Sequence, residues 1–363
     1  MTSTDSLVDR VRRAVLSGDD MGDAIATEVR RANEQALAGA VATEFDERDV
    51  VTRVTGFGAI QEFLDDPSVE EIWVNDTDSV FVARSGRHER IPLAMSDDEV
   101  RTLVERMLRQ SGRRIDVSQP FVDASLPDGS RLHVVIPPIT RRHWSLNIRK
   151  FSPSVKTLDS LVERGTLADD AKALLASAMA GGRTVLVSGA TQAGKTTMVC
   201  ALLTESGPGD RIVTVEETFE IATDHLDTVG LQCRGASLEG VGEVTLRRLV
   251  KEALRMRPTR LVVGEVRGDE ALDLLVALNS GIPGLCTIHA NSASDAVRKL
   301  VTLCQLAGGV SEAFVASTIV ATIDLVVHCR MDESGNRRVV DIARPVAVSA
   351  SAEVTMESLW SPR

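Results

Sequence analysis

The chain has 363 residues, 43% hydrophobic and 26% charged, which is the composition of an ordinary soluble globular protein. Its net charge of −11 and its 3% aromatic content, with no tyrosine, argue against general nucleic-acid binding and base stacking. No apolar stretch approaches the ~18–20 residues that a membrane span needs, and the N-terminus lacks a signal-sequence pattern. The five cysteines are scattered and form no Cys-x-x-Cys pair, so we expect reduced thiols in a cytoplasmic protein of two domains.

Residues 1–50 are charged and rich in alanine, and their apolar residues recur at helical spacing. Leu7, Val11 and Val15 are one example, and a second pair follows at Ile25. This spacing predicts a helical N-terminal extension over residues 1–50. A tail with only nascent helix is the alternative.

Residues 51–150 combine predicted strands with one amphipathic helix. Ser96 and Glu99 form a capping-box pattern that opens this helix. We therefore expect a small α+β N-terminal domain. The predicted core face of the helix is Val100, Leu103, Val104, Met107 and Leu108, and the predicted strands are Glu71–Asn75, Val80–Ala83 and 131–136.

The remainder of the chain, residues 161–363, alternates helices and strands after a predicted linker at 151–160. Such alternation is typical of an α/β domain with a mostly parallel sheet flanked by helices. Two late strands, 324–330 and 337–343, are joined by a polar turn and predict a hairpin. Earlier strands are predicted at 184–188, 211–217, 260–266 and 285–290.

Residues 189–196 carry the pattern Gly-x-x-x-x-Gly-Lys-Thr between an apolar strand and a helix. In such a phosphate loop, backbone N–H groups and the helix dipole attract phosphate. Lys195 would reach the β- and γ-phosphates, and the Thr196 hydroxyl would bind Mg²⁺. The predicted ligands are ATP and Mg²⁺, held by Gly189, Ala190, Thr191, Gln192, Ala193, Gly194, Lys195, Thr196 and Thr197.

An acidic run follows the predicted strand at 211–217, at a strand end where folds of this class bind ligands. It contains Glu216, Glu217 and Glu220. A nucleotide hydrolase needs a carboxylate that orients or deprotonates the attacking water. A solvated acidic loop is the alternative interpretation of this run.

Two other strand ends carry candidate catalytic groups. Glu265 closes an apolar strand in the manner of a Walker B acid that binds the metal or its water, although Gly264 stands where an aspartate is usual. We therefore expect the acidic role to be shared with the run at 216–220. His289 ends the strand at 285–290 and could contact the γ-phosphate region, or simply pack as a hydrogen-bonded residue.

The order and spacing of these four motifs resemble the type II/IV secretion ATPase superfamily. The stretches 254–258 and 264–268 are similar to the CpaF-like branch, the motors of tight-adherence (Tad) pilus assembly. The resemblance covers about residues 56–345. Its motifs are the phosphate loop with Val215–Glu220, Val262–Gly268 and Thr287–Asn291, and further matches lie at 56–58, 65–69, 73–75, 126–131 and 147–151.

The resemblance implies a RecA-like domain in a homohexameric, Mg²⁺-dependent ATPase. It further implies a cytoplasmic motor, peripheral to the inner membrane through a platform protein, whose domain rotation moves pilin or substrate. Glu220 would be the general base, Glu265 would position Mg²⁺ or its water, and His289 would contact the γ-phosphate region. Arg131 and Arg149 match segments whose arginines close on the phosphates, a role that suits a fixed bidentate cation.

Three departures from the family pattern concern turnover rate more than nucleotide binding. Gln192-Ala193 replaces a usual Gly-Ser, Glu217 replaces an aspartate, and the stretch 281–285 lacks a second family histidine. Two other functions stay open. A DNA-translocating or conjugation-type motor is disfavoured by the acidic charge, and a nucleotide-gated structural ring is disfavoured by the two candidate acids.

Overall fold

The computed structural model describes residues 7, 10–11, 13–14, 21–37, 57–84, 86–150, 157–235 and 241–362. The chain divides into two compact units, Met1–Phe151 and Ser152–Arg363. Of the predicted linker at 151–160, residues 151–156 lie outside the described residues and a helix begins at Leu158. Within the described parts of the chain, the helices are too short or too polar to cross a bilayer.

A helix, α1 at Met21–Leu37, occupies part of the predicted N-terminal extension. Leu7 and Val11 are buried in one cluster with Ile25 of this helix, as their spacing suggests. Val15, which is predicted to share their helical spacing, lies outside the described residues.

The first unit contains a six-stranded antiparallel sheet with the strand order β3-β2-β1-β6-β5-β4. A longer helix and a short one pack their apolar sides into the same buried core as the sheet. The strands are β1 Val69–Asp76, β2 Ser79–Arg84, β3 Arg87–Ile91, β4 Phe121–Ser125, β5 Arg131–Val135 and β6 Ser145–Arg149, and the helices are α2 Gln61–Asp65 and α3 Asp97–Ser111, with a 3₁₀ turn at Gly58–Ile60.

The predicted capping box at the start of α3 is confirmed. The Ser96 hydroxyl accepts the Glu99 N–H at 3.3 Å, and the Glu99 carboxylate accepts the Ser96 N–H at 2.7 Å. Two backbone donors that the helix leaves unpaired are thereby satisfied. The five predicted core residues of α3 are all buried against the sheet.

The second unit is an α/β domain with an eight-stranded sheet in the order β14-β13-β12-β7-β11-β10-β8-β9. The six strands from β12 to β9 in this order run parallel, and the hairpin partners β13 and β14 are antiparallel additions. The strands are β7 Val185–Gly189, β8 Ile212–Glu216, β9 Thr228–Gln232, β10 Arg260–Val263, β11 Gly284–His289, β12 Leu325–Met331, β13 Arg337–Val348 and β14 Val354–Trp360.

Helices cover both faces of this sheet. Val185 and Val187 of β7 pack into one buried cluster while Leu186 packs into the other, because side chains alternate across a strand. The predicted mostly parallel sheet flanked by helices is therefore confirmed. The helices are α4 Leu158–Glu163, α5 Asp169–Ala180, α6 Lys195–Leu203, α7 Leu246–Ala253, α8 Glu270–Asn279, α9 Ala293–Leu306 and α10 Glu312–Thr322, with a 3₁₀ turn at Leu254–Met256.

Four of the strands that the sequence did not predict are the edge strands β3, β4, β9 and β14. None of them contains a buried residue, and the apolar alternation in β9 and β14 is short. The inner strand β6 was also unassigned, although its alternating Leu146 and Ile148 are buried. The predicted C-terminal hairpin is confirmed, and its second strand continues to Val348.

Candidate functional site

The phosphate loop connects the end of β7 to the start of α6, as predicted. Gly194 precedes the helix in a left-handed conformation, with φ of 91°, which glycine adopts without strain. At Gly189, a Cβ would lie 2.4 Å from the carbonyl oxygen of Cys329 in the adjacent β12. Both glycines of the motif are therefore required by the geometry of this loop.

Lys195 lies at the first position of α6 and is 8% exposed. Its Nζ donates to the carbonyl oxygen of Ala190 at 3.0 Å and lies 3.2 Å from Nδ1 of His289. The ammonium is thus directed back over the loop. A helix N-terminus next to this cation is an anion-binding arrangement.

His289 connects Lys195 to Glu265. Its Nε2 lies 2.6 Å from the Glu265 Oε1, while its Nδ1 faces the lysine. An ammonium can only donate, so Nδ1 accepts and the ring hydrogen is on Nε2, which faces the Glu265 carboxylate. Burial, together with the charge of Lys195, lowers the pKa of His289, which favours this neutral form.

Glu265 is held between His289 and Arg267. The Arg267 Nη2 donates to the Glu265 Oε2 at 2.8 Å, and its Nη1 donates to the Glu217 Oε2 at 2.6 Å. Burial alone would raise the pKa of Glu265, but the bond from Arg267 and the nearby positive charges outweigh it and lower that pKa. Glu265 is therefore ionised, and one guanidinium links it to Glu217.

Glu220 lies beside the predicted metal ligand. The Thr196 hydroxyl donates to the Glu220 Oε2 at 3.3 Å. The Thr196 hydroxyl and the Glu265 carboxylate, the two predicted metal ligands, are hard oxygen donors of the kind that Mg²⁺ prefers. Among the residues that the structure describes, no three His, Cys, Asp or Glu side chains form a complete metal cage. That donor set suits Mg²⁺, which usually takes few protein ligands and completes its shell with water and phosphate oxygens.

The position of Glu220 is set by Glu216, the last residue of β8. The Glu216 carboxylate accepts the backbone N–H groups of Glu220 at 2.7 Å and Ile221 at 2.9 Å, and the Thr214 hydroxyl at 3.0 Å. Burial raises the pKa of Glu216 to about 7. Glu216 stood in the predicted acidic run but was not assigned a site role. Its burial at a strand end, which only the fold shows, identifies it as a positioning residue.

The same carboxylate explains why a glycine stands in the Walker B strand end. A Cβ at Gly264 would lie 3.1 Å from the Cγ of Glu216. A larger residue at 264 would therefore displace the side chain that orients the acidic run.

The two predicted arginines lie side by side in the first unit, whereas the phosphate loop belongs to the second. Arg131 of β5 and Arg149 of β6 are directly paired in the antiparallel register. Arg149 also faces Glu71 of β1, with 3.8 Å between Nε and Oε1. The structure thus brings the two arginines together on one sheet.

A buried pair next to the phosphate loop was not predicted. The Ser188 hydroxyl lies 3.0 Å from the His328 Nδ1, across the β7–β12 pairing. Burial lowers the pKa of His328, so the ring is kept neutral. His328 lies in an apolar strand, where a lone histidine gives no local signal of a site.

Together these features define a P-loop protein. A glycine loop leaves a central parallel strand and enters a helix that begins with lysine and threonine. Acids and a histidine from the ends of β8, β10 and β11 surround that helix start. This arrangement is that of the RecA-like α/β class.

Comparison with known proteins gives the family. Residues 53–358 match the model of the family described as "Type II/IV secretion system protein", and the chain belongs to that family. The superfamily predicted from the motifs is therefore confirmed.

Individual relatives agree with this assignment. The putative conjugal transfer protein Rv3659c of Mycobacterium tuberculosis is 37% identical over 321 residues, covering 86% of this chain and 90% of that protein. The protein VirB11 of Agrobacterium fabrum is 33% identical over 275 residues, covering 67% and 78%. The X-ray structure of the Legionella pneumophila ATPase DotB shares the fold, with a TM-score of 0.58 at 19% identity over 77% of this chain and 78% of that one.

Proposed function

We propose that this protein is a Mg²⁺-dependent ATPase that acts as the motor of a secretion or pilus-assembly system. The observation that carries the proposal is the series of close contacts from Lys195 through His289 to Glu265, built beside a phosphate loop. Its members come from one helix start and two strand ends, and they meet where a terminal phosphate of a loop-bound nucleotide would lie.

Each part of the proposed site has a separate role in ATP hydrolysis. The loop at 189–197 binds the phosphates through its backbone N–H groups, and Lys195 neutralises the β- and γ-oxygens. Thr196 ligates Mg²⁺, and Glu265 orients the ion or its water. The bound ion supplies charge neutralisation on the transferring phosphoryl group. Glu220 takes the proton of the attacking water.

His289 is the proposed sensor of the γ-phosphate. It is in contact with both the loop cation and the Glu265 carboxylate, so a change at either one alters its contacts. The neutral ring can pass such a change from Lys195 to Glu265 without gaining charge. This proposal predicts that His289 affects turnover more than nucleotide binding.

Arg131 and Arg149 are proposed to stabilise the transferring phosphoryl group when the N-terminal domain closes on the nucleotide. They are neighbours in the register of β5 and β6, so they can act as one doubly charged group. A guanidinium holds its charge at any physiological pH and donates in a planar fork that matches phosphate oxygens.

We further propose that the protein works as a cytoplasmic homohexamer, peripheral to the inner membrane and docked on a platform protein. The motif stretches 254–258 and 264–268 favour the CpaF-like branch, and hence Tad pilus assembly. Family membership supports the secretion role at the coarser level.

A conjugation role is the second candidate, and the names of relatives favour it. The Mycobacterium tuberculosis relative and the Sinorhizobium fredii protein TrbB, 34% identical, are both described as conjugal transfer proteins. The net charge of −11 argues against direct contact with DNA. DNA-stimulated ATP hydrolysis that weakens with rising salt would support this candidate over the pilus motor.

The proposal is tested by a phosphate-release assay on the purified full chain with ATP and Mg²⁺. Solution mass is measured in parallel with and without ATP. Steady hydrolysis and a mass near six subunits are expected. ATP binding with no measurable turnover would instead support a nucleotide-gated structural ring, and absence of ATP binding would contradict the proposal.

A further inference from the structure

The hairpin of β12 and β13 lies against the phosphate loop and sends one side chain across it. Its turn is fixed by Asp332, whose carboxylate accepts the N–H groups of Ser334 and Asn336, both at 2.9 Å. The next residue, Arg337, donates from Nε to the carbonyl oxygen of Gln192 at 2.9 Å. A rigid turn therefore delivers a cation to the tip of the loop.

The same side chain lies along the beginning of α6. A Cβ at Gly194 would be 3.4 Å from the Arg337 Cδ, so the arginine stem passes over the glycine that precedes the helix. A cation at a helix N-terminus is electrostatically unfavourable unless an anion is bound there. The charge of Arg337 at this helix start is therefore electrostatically favourable once phosphate binds there.

Gln192, whose carbonyl oxygen accepts the hydrogen bond from Arg337, has an unusual backbone conformation. Its φ is 63°, a left-handed conformation that residues with a side chain rarely adopt. Glycine would adopt this φ without strain, whereas glutamine must be held there by its surroundings. The bond from Arg337 to the Gln192 carbonyl is an external contact that holds it.

We propose that Arg337 is a positioning residue that fixes the strained tip of the phosphate loop in its phosphate-binding shape. The proposal rests on the nucleotide-binding function proposed above. It explains how the chain retains a competent loop with glutamine in place of glycine. The sequence gives no local sign of it, since the two residues are 145 positions apart.

The first test compares Arg337→Met with the matched control Arg344→Met, which removes an exposed arginine of the same strand that pairs with Glu357 of β14. Hydrogen exchange of the loop amides at 189–194 is measured in the nucleotide-free protein. We expect faster exchange there in the Arg337 variant only, while the thermal midpoints of both variants stay within a few degrees of wild type. Unchanged loop exchange would overturn the proposal.

The second test measures the dissociation constant of Mg²⁺-ADP. Arg337→Met should weaken binding about tenfold, the value of a hydrogen bond with one charged partner. Arg337→Lys should restore only part of this, because lysine cannot place a donor at the Nε position. Equal affinities in the Arg337→Met and Arg344→Met variants would contradict the proposal that Arg337 positions the loop.

A double-mutant cycle with Gln192→Gly tests the mechanism itself. Glycine adopts a φ of 63° without strain. Arg337→Met in the Gln192→Gly background should therefore weaken Mg²⁺-ADP binding no more than about twofold. The same tenfold loss in both backgrounds would show that Arg337 acts through charge alone, and the proposal that it positions the loop would be wrong.

The two proposals fail in different ways. If wild type binds no ADP, the proposed function fails, and loop exchange in the nucleotide-free protein still decides whether Arg337 holds the loop. If wild type binds ADP and neither readout responds to Arg337→Met, only the inference about Arg337 fails.

Discussion

The Lys195 Nζ and the His289 Nδ1 lie 3.2 Å apart, which makes the phosphate-loop cation a direct hydrogen-bond partner of the residue that ends β11. The contact fixes the tautomer of His289 and directs its other nitrogen to Glu265. Arg267 then joins Glu265 to Glu217. Four side chains, those of Lys195, His289, Glu265 and Arg267, therefore connect the loop to the acidic run.

Lys195→Ala should abolish tight nucleotide binding and hydrolysis. The lysine supplies the only full positive charge that the loop's own residues at 189–197 bring to the phosphates, since its other donors are neutral amides. Equilibrium binding of a fluorescent ATP analogue and phosphate release measure the two losses. Lys251→Ala, which removes an exposed lysine of the same unit, is the control and should behave as wild type. Wild-type affinity in the Lys195 variant would disprove the phosphate-loop assignment.

Glu220→Gln should leave ATP binding near normal and slow hydrolysis by roughly 10²- to 10⁴-fold, as expected for loss of a positioned base. Its carboxylate lies 3.3 Å from the Thr196 hydroxyl, so it is close to the predicted metal position. Single-turnover hydrolysis separates the chemical step from binding.

Glu217→Gln is the matched control for that substitution and should be milder, within roughly tenfold of wild type, because Glu217 is paired with Arg267 and not with the loop. If the Glu217 variant loses far more activity than the Glu220 variant, the base is Glu217 and the predicted assignment is wrong.

Arg149→Ala should lower kcat much more than it lowers ATP affinity. A closing arginine stabilises charge that develops in the transition state, a contribution that can reach roughly 10³- to 10⁵-fold. Arg149→Lys should recover only part of the activity, because lysine lacks the planar fork. The comparison is Arg87→Ala, an exposed arginine on the edge strand β3 of the same sheet. Normal turnover in alanine variants of both Arg131 and Arg149 would rule out the proposed closure chemistry.

Glu216→Gln should change how stability depends on pH. Burial raises the pKa of Glu216 from its ordinary 4.5 to about 7, so between these values the folded state holds a proton that the unfolded state has lost. The contribution of Glu216 to stability is therefore full below about pH 4.5 and decreases as pH rises to about 7, by up to ~3 kcal/mol. The glutamine amide does not titrate, so the variant lacks this pH-dependent contribution to stability.

The measurement is urea unfolding of both proteins at pH 5 and pH 8. His289 and His328, with lowered pKa values, act in the opposite direction in wild type and variant alike, so the difference between the two proteins isolates Glu216. We expect the stability of the variant, measured relative to that of wild type, to be higher at pH 8 than at pH 5. A difference that does not depend on pH would show that Glu216 titrates normally.

The sequence by itself determined the elements whose signals are local. The phosphate loop, the capping box of α3 and the buried central strands each depend on neighbouring residues, so their patterns can be read along the chain. Parallel order then follows from the alternation of helices and strands, and it brings the ends of β7, β8, β10 and β11 to one edge. This is the reason that we predict Lys195, Thr196, Glu220, Glu265 and His289 as site residues.

The tertiary structure decided the contacts that depend on distant residues. Whether Glu216 is a solvated acid or the buried group that holds Glu220 depends on what packs over the end of β8, and Gly264 from another strand is what leaves it room. Arg337 reaches Gln192 only because β12 and β13 form the hairpin beside β7. The edge strands bury no residue completely and carry weak or short apolar patterns, so their pairing became clear only in the assembled sheet. Apolar periodicity reports burial, and both burial and long-range partners are set only when the sheet has assembled.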